Sequence, residues 1–136
     1  MIVFVDTSAF YAVFDRDDAN HAAAKEVWLG LLGRGDTLFT HNYVLLETTA
    51  LLQHRLGVAA VRAFSEDVVP LLAVDWVAET QHRAGLEAVL AAGRKKLSLV
   101  DCVSFQSMRA NGVRTAFCFD AHFAEQGFSH PAVDGP

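Results

Sequence analysis

Four carboxylates, Asp6, Glu47, Asp101 and Asp120, lie inside or against apolar segments of this 136-residue chain. A carboxylate among hydrophobic residues must be paired, protonated or bound to a cation. Four of them in one small domain point to a shared positive charge, and a divalent metal is the simplest such charge. Oxygen ligands suit Mg²⁺ and Mn²⁺.

Each acid also has a plain structural use. Asp6 and Asp120 precede helical segments and could cap them, although Thr7 and Ser8 could replace Asp6 in that role. Ser98-x-x-Asp101 approximates a capping box. Glu47 has no such role: with a cap at Asn42 it lies beyond the third helical position, among Tyr43, Val44, Ala50 and Leu51, on what reads as an apolar stripe. For all four to be accidental, each would have to arrive separately at a helix start or strand end of one edge.

The elements that must position these acids alternate between strand and helix. Ile2 to Val5 is an apolar run ending at Asp6, and a helix follows over Ala9 to Phe14. A second helix spans Ala19 to Leu32 and stops at Gly33-Arg34-Gly35, ahead of a strand over Thr37 to Thr40. Asn42 caps a helix to about Leu56, and Gly57 separates it from another over Val58 to Val69, ended by Pro70. Leu71 to Val74 is a third strand, and Val77 to Ala92 is helical. After the basic loop Gly93-Arg94-Lys95-Lys96, Ser98 caps a helix to Ala110, stopped by Asn111-Gly112. Thr115 to Phe119 is a fourth strand ending at Asp120, followed by a helix over Ala121 to Gln126.

This order implies a mainly parallel sheet in a three-layer α/β/α sandwich, because each parallel crossover needs a helix-length connection. Ligands of such sheets bind outside the carboxyl ends of the strands, where Asp6 and Asp120 lie. One domain over residues 1–128 is expected, with residues 129–136 a frayed tail.

Composition narrows the setting. An apolar content of 52% suffices for a core without disulfide or zinc staples. Cys102 and Cys118 read as reduced core residues. No stretch approaches the length of a membrane span and no secretory leader is visible, so a soluble, cytoplasmic protein is expected. The net charge of −5 repels nucleic acid overall, so such a substrate needs a local basic patch or a metal. Arg94-Lys95-Lys96 is the best basic segment for substrate contact, while Arg16, Arg109 and Arg114 are more dispersed. The six histidines show no zinc spacing and read as surface or capping residues, with His122 beside Asp120 meriting mutation. Phe10, Tyr11, Phe14, Trp28, Phe64 and Trp76 read as core or interface, and a mean hydropathy of +0.25 hints at a second copy or partner over apolar surface.

Four short motifs, in this order and context, carry a resemblance: Val5-Asp6-Thr7-Ser8, Val44-Leu45-Leu46-Glu47-Thr48, Leu97-Ser98-Leu99-Val100-Asp101 and Phe119-Asp120-Ala121-His122-Phe123. Over nearly its whole length the chain resembles a PIN-domain protein, specifically the small VapC-type toxin ribonucleases. The resemblance implies a compact sandwich whose four acids gather around Mg²⁺ or Mn²⁺ and cut RNA, leaving a 5′-phosphate and a 3′-hydroxyl. It makes Asp6 and Asp101 direct ligands, with Glu47 and Asp120 completing the pocket directly or through water, and Ser8 supporting Asp6. Where relatives often carry a further acid, this chain has His122. The resemblance also implies a small antitoxin bound to apolar helices of the first half, and the apolar surface points to a homodimer.

Other readings fit less well. A phosphoaspartate receiver needs paired acids after the first strand and a late lysine, and a haloacid-dehalogenase-like phosphatase needs Asp-x-Asp where Asp6-Thr7-Ser8 stands. An inactive PIN-like binding module, or a PIN nuclease of RNA processing without an antitoxin, keeps the same fold.

Overall fold

The computed structural model describes residues 1–131. A parallel four-stranded sheet is built from β1 (Ile2–Val5), β2 (Thr37–His41), β3 (Leu72–Asp75) and β4 (Thr115–Phe117), in the spatial order β3-β2-β1-β4. Register aligns Phe4 with Phe39 and Ala116, and His41 with Asp75. Val3, Phe4 and Val5 have no exposure, as expected for a central strand covered on both faces. The helices are α1 (Thr7–Phe14), α2 (His21–Arg34), α3 (Asn42–Leu56), α4 (Val58–Ala63), α5 (Glu79–Ala92), α6 (Leu99–Ala110) and α7 (Ala121–Glu125). Helices α1 to α4 pack on one another and α5 packs along α6, giving the expected α/β/α architecture.

Helix α6 carries the central polar scaffold. It buries Asp101, Cys102, Ser104, Phe105, Ser107 and Met108, and its contact with α5 depends on Gly85. A Cβ at Gly85 would stand 2.6 Å from Val103 Cγ2, on a β-branched side chain with little freedom to turn away. Overpacking of this kind costs about 1–3 kcal/mol, against a helix-propensity gain of about 1. Gly85→Ala is therefore expected to lower the urea midpoint, and an unchanged midpoint would mean that the two helices part freely.

Several boundaries differ from the sequence reading for identifiable reasons. Helix α3 is capped by His41 rather than Asn42: the buried imidazole accepts the Tyr43 N–H through Nδ1 at 3.2 Å. Asn42 is the first helical residue, and its amide oxygen instead accepts the Val77 N–H at 2.6 Å. The expected helix over Val58 to Val69 ends as α4 at Ala63, widens into a π-turn over Phe64–Val68 and tightens into a 3₁₀ turn over Val69–Leu71 that contains Pro70. Strand β3 starts one residue later, and α5 starts at Glu79. Strand β4 stops at Phe117, because the Phe119 N–H turns to the Ser8 hydroxyl instead of a ladder partner.

The chain end also departs from expectation. Residues 132–136 lie outside the described region, but Ser129 to Pro131 are tied down. Ser129 bridges Thr115, the Ala116 N–H donates to the Ser129 carbonyl at 2.8 Å, and the His130 ring lies 3.1 Å from the Cys118 carbonyl. Cys102 and Cys118 are free and buried, as expected. Of the aromatic set, Phe10 and Phe64 are core residues in edge-to-face contact, whereas Trp76 is 69% exposed. Among the described residues, no helix is long and apolar enough to cross a membrane.

Candidate active site

Asp6 leaves the end of β1 and caps α1. Its Oδ2 accepts the Ser8 hydroxyl at 2.8 Å and the Ser8 N–H at 3.3 Å, while the Ser8 oxygen accepts the Phe119 N–H at 3.0 Å. Ser8 thus ties the first acid to the segment leading from β4 to the fourth, which extends its expected supporting role. Ser8→Ala would remove the bond to Asp6 and leave the Phe119 N–H without its acceptor. A loss of about 1–3 kcal/mol is expected by urea denaturation. Wild-type stability would show that water replaces both bonds.

Asp101 enters the same region from the first turn of α6 through a complete capping box. The Ser98 hydroxyl oxygen accepts the Asp101 N–H, and Asp101 Oδ2 accepts the Ser98 N–H, both at 3.1 Å. Asp120 caps the short α7, with Oδ1 accepting the His122 N–H at 2.8 Å. The His122 ring bridges the two acids, its Nδ1 lying 3.2 Å from Asp120 Oδ1 and 3.3 Å from Asp101 Oδ2. These three residues form a group whose ligand atoms lie within 4.8 Å of one another. His122 is therefore within the site, where the sequence offered only its adjacency to Asp120.

An open cleft of about 700 Å³ joins Asp6, Glu47, Asp101 and Asp120, with Ser8, Lys96 and His54 in its wall. Glu47 reaches it from α3 and is exposed, contrary to the expected burial on an apolar stripe. Val44, Thr48 and Leu52 face the core, whereas Leu46 and Ala50 flank Glu47 on the open lip. The basic segment divides. Lys96 lines the cleft, Arg94 is ion-paired with Glu125 at 3.1 Å, and Lys95 is exposed. His54 was missed as a wall residue because only the packing of α3 brings it there.

Burial pushes the Asp6 carboxyl up to about 6, opposed by Ser8 and reinforced by the charges of Asp101 and Glu47. Such a site favours a cation. The hydrogen bonding leaves room for one: Asp6, Asp101 and Asp120 each commit one oxygen to a local backbone N–H, and the other takes no hydrogen bond among the described residues. No buried side-chain oxygen in that region lacks a partner, so these second oxygens open to the cleft. Carboxylate oxygens are hard donors, and among the described residues the group of possible ligand atoms that lie within 4.8 Å of one another is that of Asp101, Asp120 and His122.

Beneath the cleft, α6 is fixed to the sheet by polar side chains that the sequence did not single out. The buried His41 Nδ1 accepts from Tyr43, so Nε2 carries the proton and donates to the Ser104 hydroxyl at 2.7 Å. That hydroxyl donates to the Val100 carbonyl at 2.7 Å. Burial depresses the imidazole to about 4, partly offset by the Asp75 charge. Ser107 donates to Asp75 at 2.5 Å. These bonds hold the helix that presents Asp101.

Known proteins share the sequence pattern and the fold. The PIN domain family model covers residues 3–129. The 23S rRNA-specific endonuclease VapC20 of Mycobacterium tuberculosis is 34% identical over 128 residues, spanning 93% of this chain and 95% of the relative. The crystal structure of M. tuberculosis VapC20, described as a sarcin–ricin loop cleaving toxin, superposes with a TM-score of 0.82 at 31% identity, covering 93% of this chain and 95% of that one. The crystal structure of VapBC2 from Rickettsia felis, bound to a promoter DNA fragment, shares the fold at a TM-score of 0.65 and 12% identity, covering 93% and 92% of the two chains. With four acids brought to one cleft and similarity running nearly end to end, this chain belongs to the PIN-domain family, among its VapC-type members.

Proposed function

We propose that this chain is a metal-dependent endoribonuclease that hydrolyses RNA phosphodiester bonds as the toxin of a toxin–antitoxin pair. The observation that carries the reading is the convergence of Asp6, Glu47, Asp101 and Asp120, from four separate elements, on one open cleft. Asp6, Asp101 and Asp120 would hold Mg²⁺ or Mn²⁺ through their uncommitted oxygens. When bound, the ion supplies positive charge at the phosphate and lowers the pKa of water. Glu47, at the lip, is placed to orient water and receive its proton, and Lys96 offers a charge to the RNA backbone. Ser8 and Ser98 keep their acids aimed into the cleft.

The similarity to a 23S rRNA-specific enzyme makes the sarcin–ricin loop the first substrate to test. Binding of an antitoxin to the helices of the first half is supported by exposed Leu29 and Leu32 on α2 and Val58 at the start of α4. Leu46 on α3, with Leu86 and Leu90 on α5, supplies exposed apolar surface for a second copy. An rRNA substrate would place the protein in the cytoplasm.

The test uses the purified chain on RNA containing that loop. Cleavage is expected with Mg²⁺ or Mn²⁺, to stop in EDTA, and to leave 5′-phosphate and 3′-hydroxyl ends. Cleavage that persisted in EDTA and left 2′,3′-cyclic phosphates would defeat the mechanism.

A further inference from the structure

Arg109 and Arg114, far from the acidic cleft in sequence terms and dispersed on a linear reading, share one hollow of about 450 Å³ with Gly112, Gly127, Phe128 and Ser129. No carboxylate lines it. Arg34, Arg62, Arg83 and Arg94 each pair with an aspartate or glutamate, and Arg55 lies over the Tyr11 ring. Arg109 instead donates to the neutral Gln126 side chain at 2.8 Å, and its guanidinium lies 5.3 Å from the centre of the Phe128 ring. These contacts fix its plane without cancelling its charge, and leave other N–H donors available. Arg114 is exposed beside it, held by the bond from the Ser129 N–H to its carbonyl at 2.9 Å.

The rim of the hollow is low. Gly112 and Gly127 sit in left-handed turns, and an added Cβ would meet nothing within 4 Å at either one. An extended backbone can therefore approach the two guanidiniums. The hollow and the cleft lie at opposite ends of α7. From its cap at Asp120, α7 rises about 9 Å to Gln126, the residue that holds Arg109. Arg94 meets α7 through Glu125, and Lys96 stands in the cleft wall. Arg109 and Arg114 thus stand one short helix from the fourth acid, in a chain whose net charge is −5.

We propose that the Arg109–Arg114 hollow is a second RNA site, which grips a backbone phosphate outside the bond being cut. This rests on the ribonuclease reading above and deepens it. The acidic cleft repels RNA in the absence of metal, so an anchor beside it supplies attraction that the cleft lacks. Arginine suits the task because its planar donors match phosphate oxygens, and the contact is indifferent to base sequence.

Binding of a transcribed sarcin–ricin loop RNA to the full chain, silenced by Asp101→Asn, would be measured over a range of KCl concentrations. Arg114→Gln is expected to weaken binding, and Arg109→Gln with Arg114→Gln to flatten the slope of log affinity against log salt by about 1, the share of the one phosphate that they grip together. The double variant should bind roughly tenfold more weakly. Arg114→Lys should retain most of the affinity and the wild-type slope, which separates lost charge from lost structure. A double variant with wild-type affinity and slope would overturn the second site and leave the nuclease reading intact. If the silenced parent bound no RNA at all while the unsilenced chain failed to cleave it, both would fall.

Discussion

Asp101→Asn is expected to reduce RNA cleavage at least about a thousandfold while leaving the protein folded. The carboxylate supplies both the cap acceptor for the Ser98 N–H and an oxygen open to the cleft. An asparagine keeps the first property, since its amide oxygen can accept the same N–H. It removes a negative charge from the donor set, and a metal-dependent phosphoryl transfer loses several kcal/mol of transition-state stabilisation with it. The measurement is single-turnover cleavage beside a melting curve. Activity within tenfold of wild type, at equal purity, would remove Asp101 from the chemistry. A collapsed melting curve would show instead that the charge, and not merely the acceptor, sustains the cap.

Asp6→Asn should stabilise the metal-free protein at neutral pH, by up to about 3 kcal/mol, on the order of 10 °C. Asp6 is only 5% exposed and holds its proton up to about pH 6, against 3.8 for the unperturbed group. Because the folded state binds the proton more tightly, this group's contribution is fully present below about 3.8 and is lost as pH rises through about 6. His41 acts in the opposite sense. Its folded value of about 4 lies below the usual 6.5, so the unfolded chain takes up a proton first as pH falls. Its contribution is present above 6.5 and is lost on the way down to about 4. The two slopes largely cancel in wild type between about pH 4 and pH 6. Removing Asp6 exposes the His41 slope alone, so the urea midpoint of Asp6→Asn should climb with pH across that window while that of wild type stays nearly level. Parallel profiles would refute the assignment. Mn²⁺ should raise the melting temperature of wild type and not of the variant.

The sequence disclosed what depends on local order. Apolar runs ending in acids put Asp6 and Asp120 beyond strand ends, and the Ser98–Asp101 spacing revealed a capping box that the structure contains in full. Features that depend on distant partners were hidden. Histidine is an uncommon helix cap, and nothing near residue 41 announces that Ser104, on α6, will share its ring. Asn42 has the right chemistry for a cap, one residue too late. Glu47 drew attention for the wrong reason: its neighbour Val44 is buried, but Glu47 itself stands exposed beside Leu46 and Ala50, and its place in the site follows from where α3 lies. The bridge from Ser129 to Thr115 and the hollow shared by Arg109 and Arg114 likewise arise only when β4 and α7 are in place.

The double duty of the caps bears on how loss of activity would be recorded over evolutionary time. Asp6 and Asp120 cap the starts of helices and Asp101 closes the capping box of another, and all three also line the cleft. A descendant that abandoned cleavage would still need an acceptor at each of these positions, which asparagine also supplies, so lost chemistry would be recorded there as aspartate turning to asparagine with the caps intact. Glu47 caps no helix and stands exposed. No cap constrains what replaces it, so drift is free to remove it outright, and its survival in a relative speaks for retained chemistry.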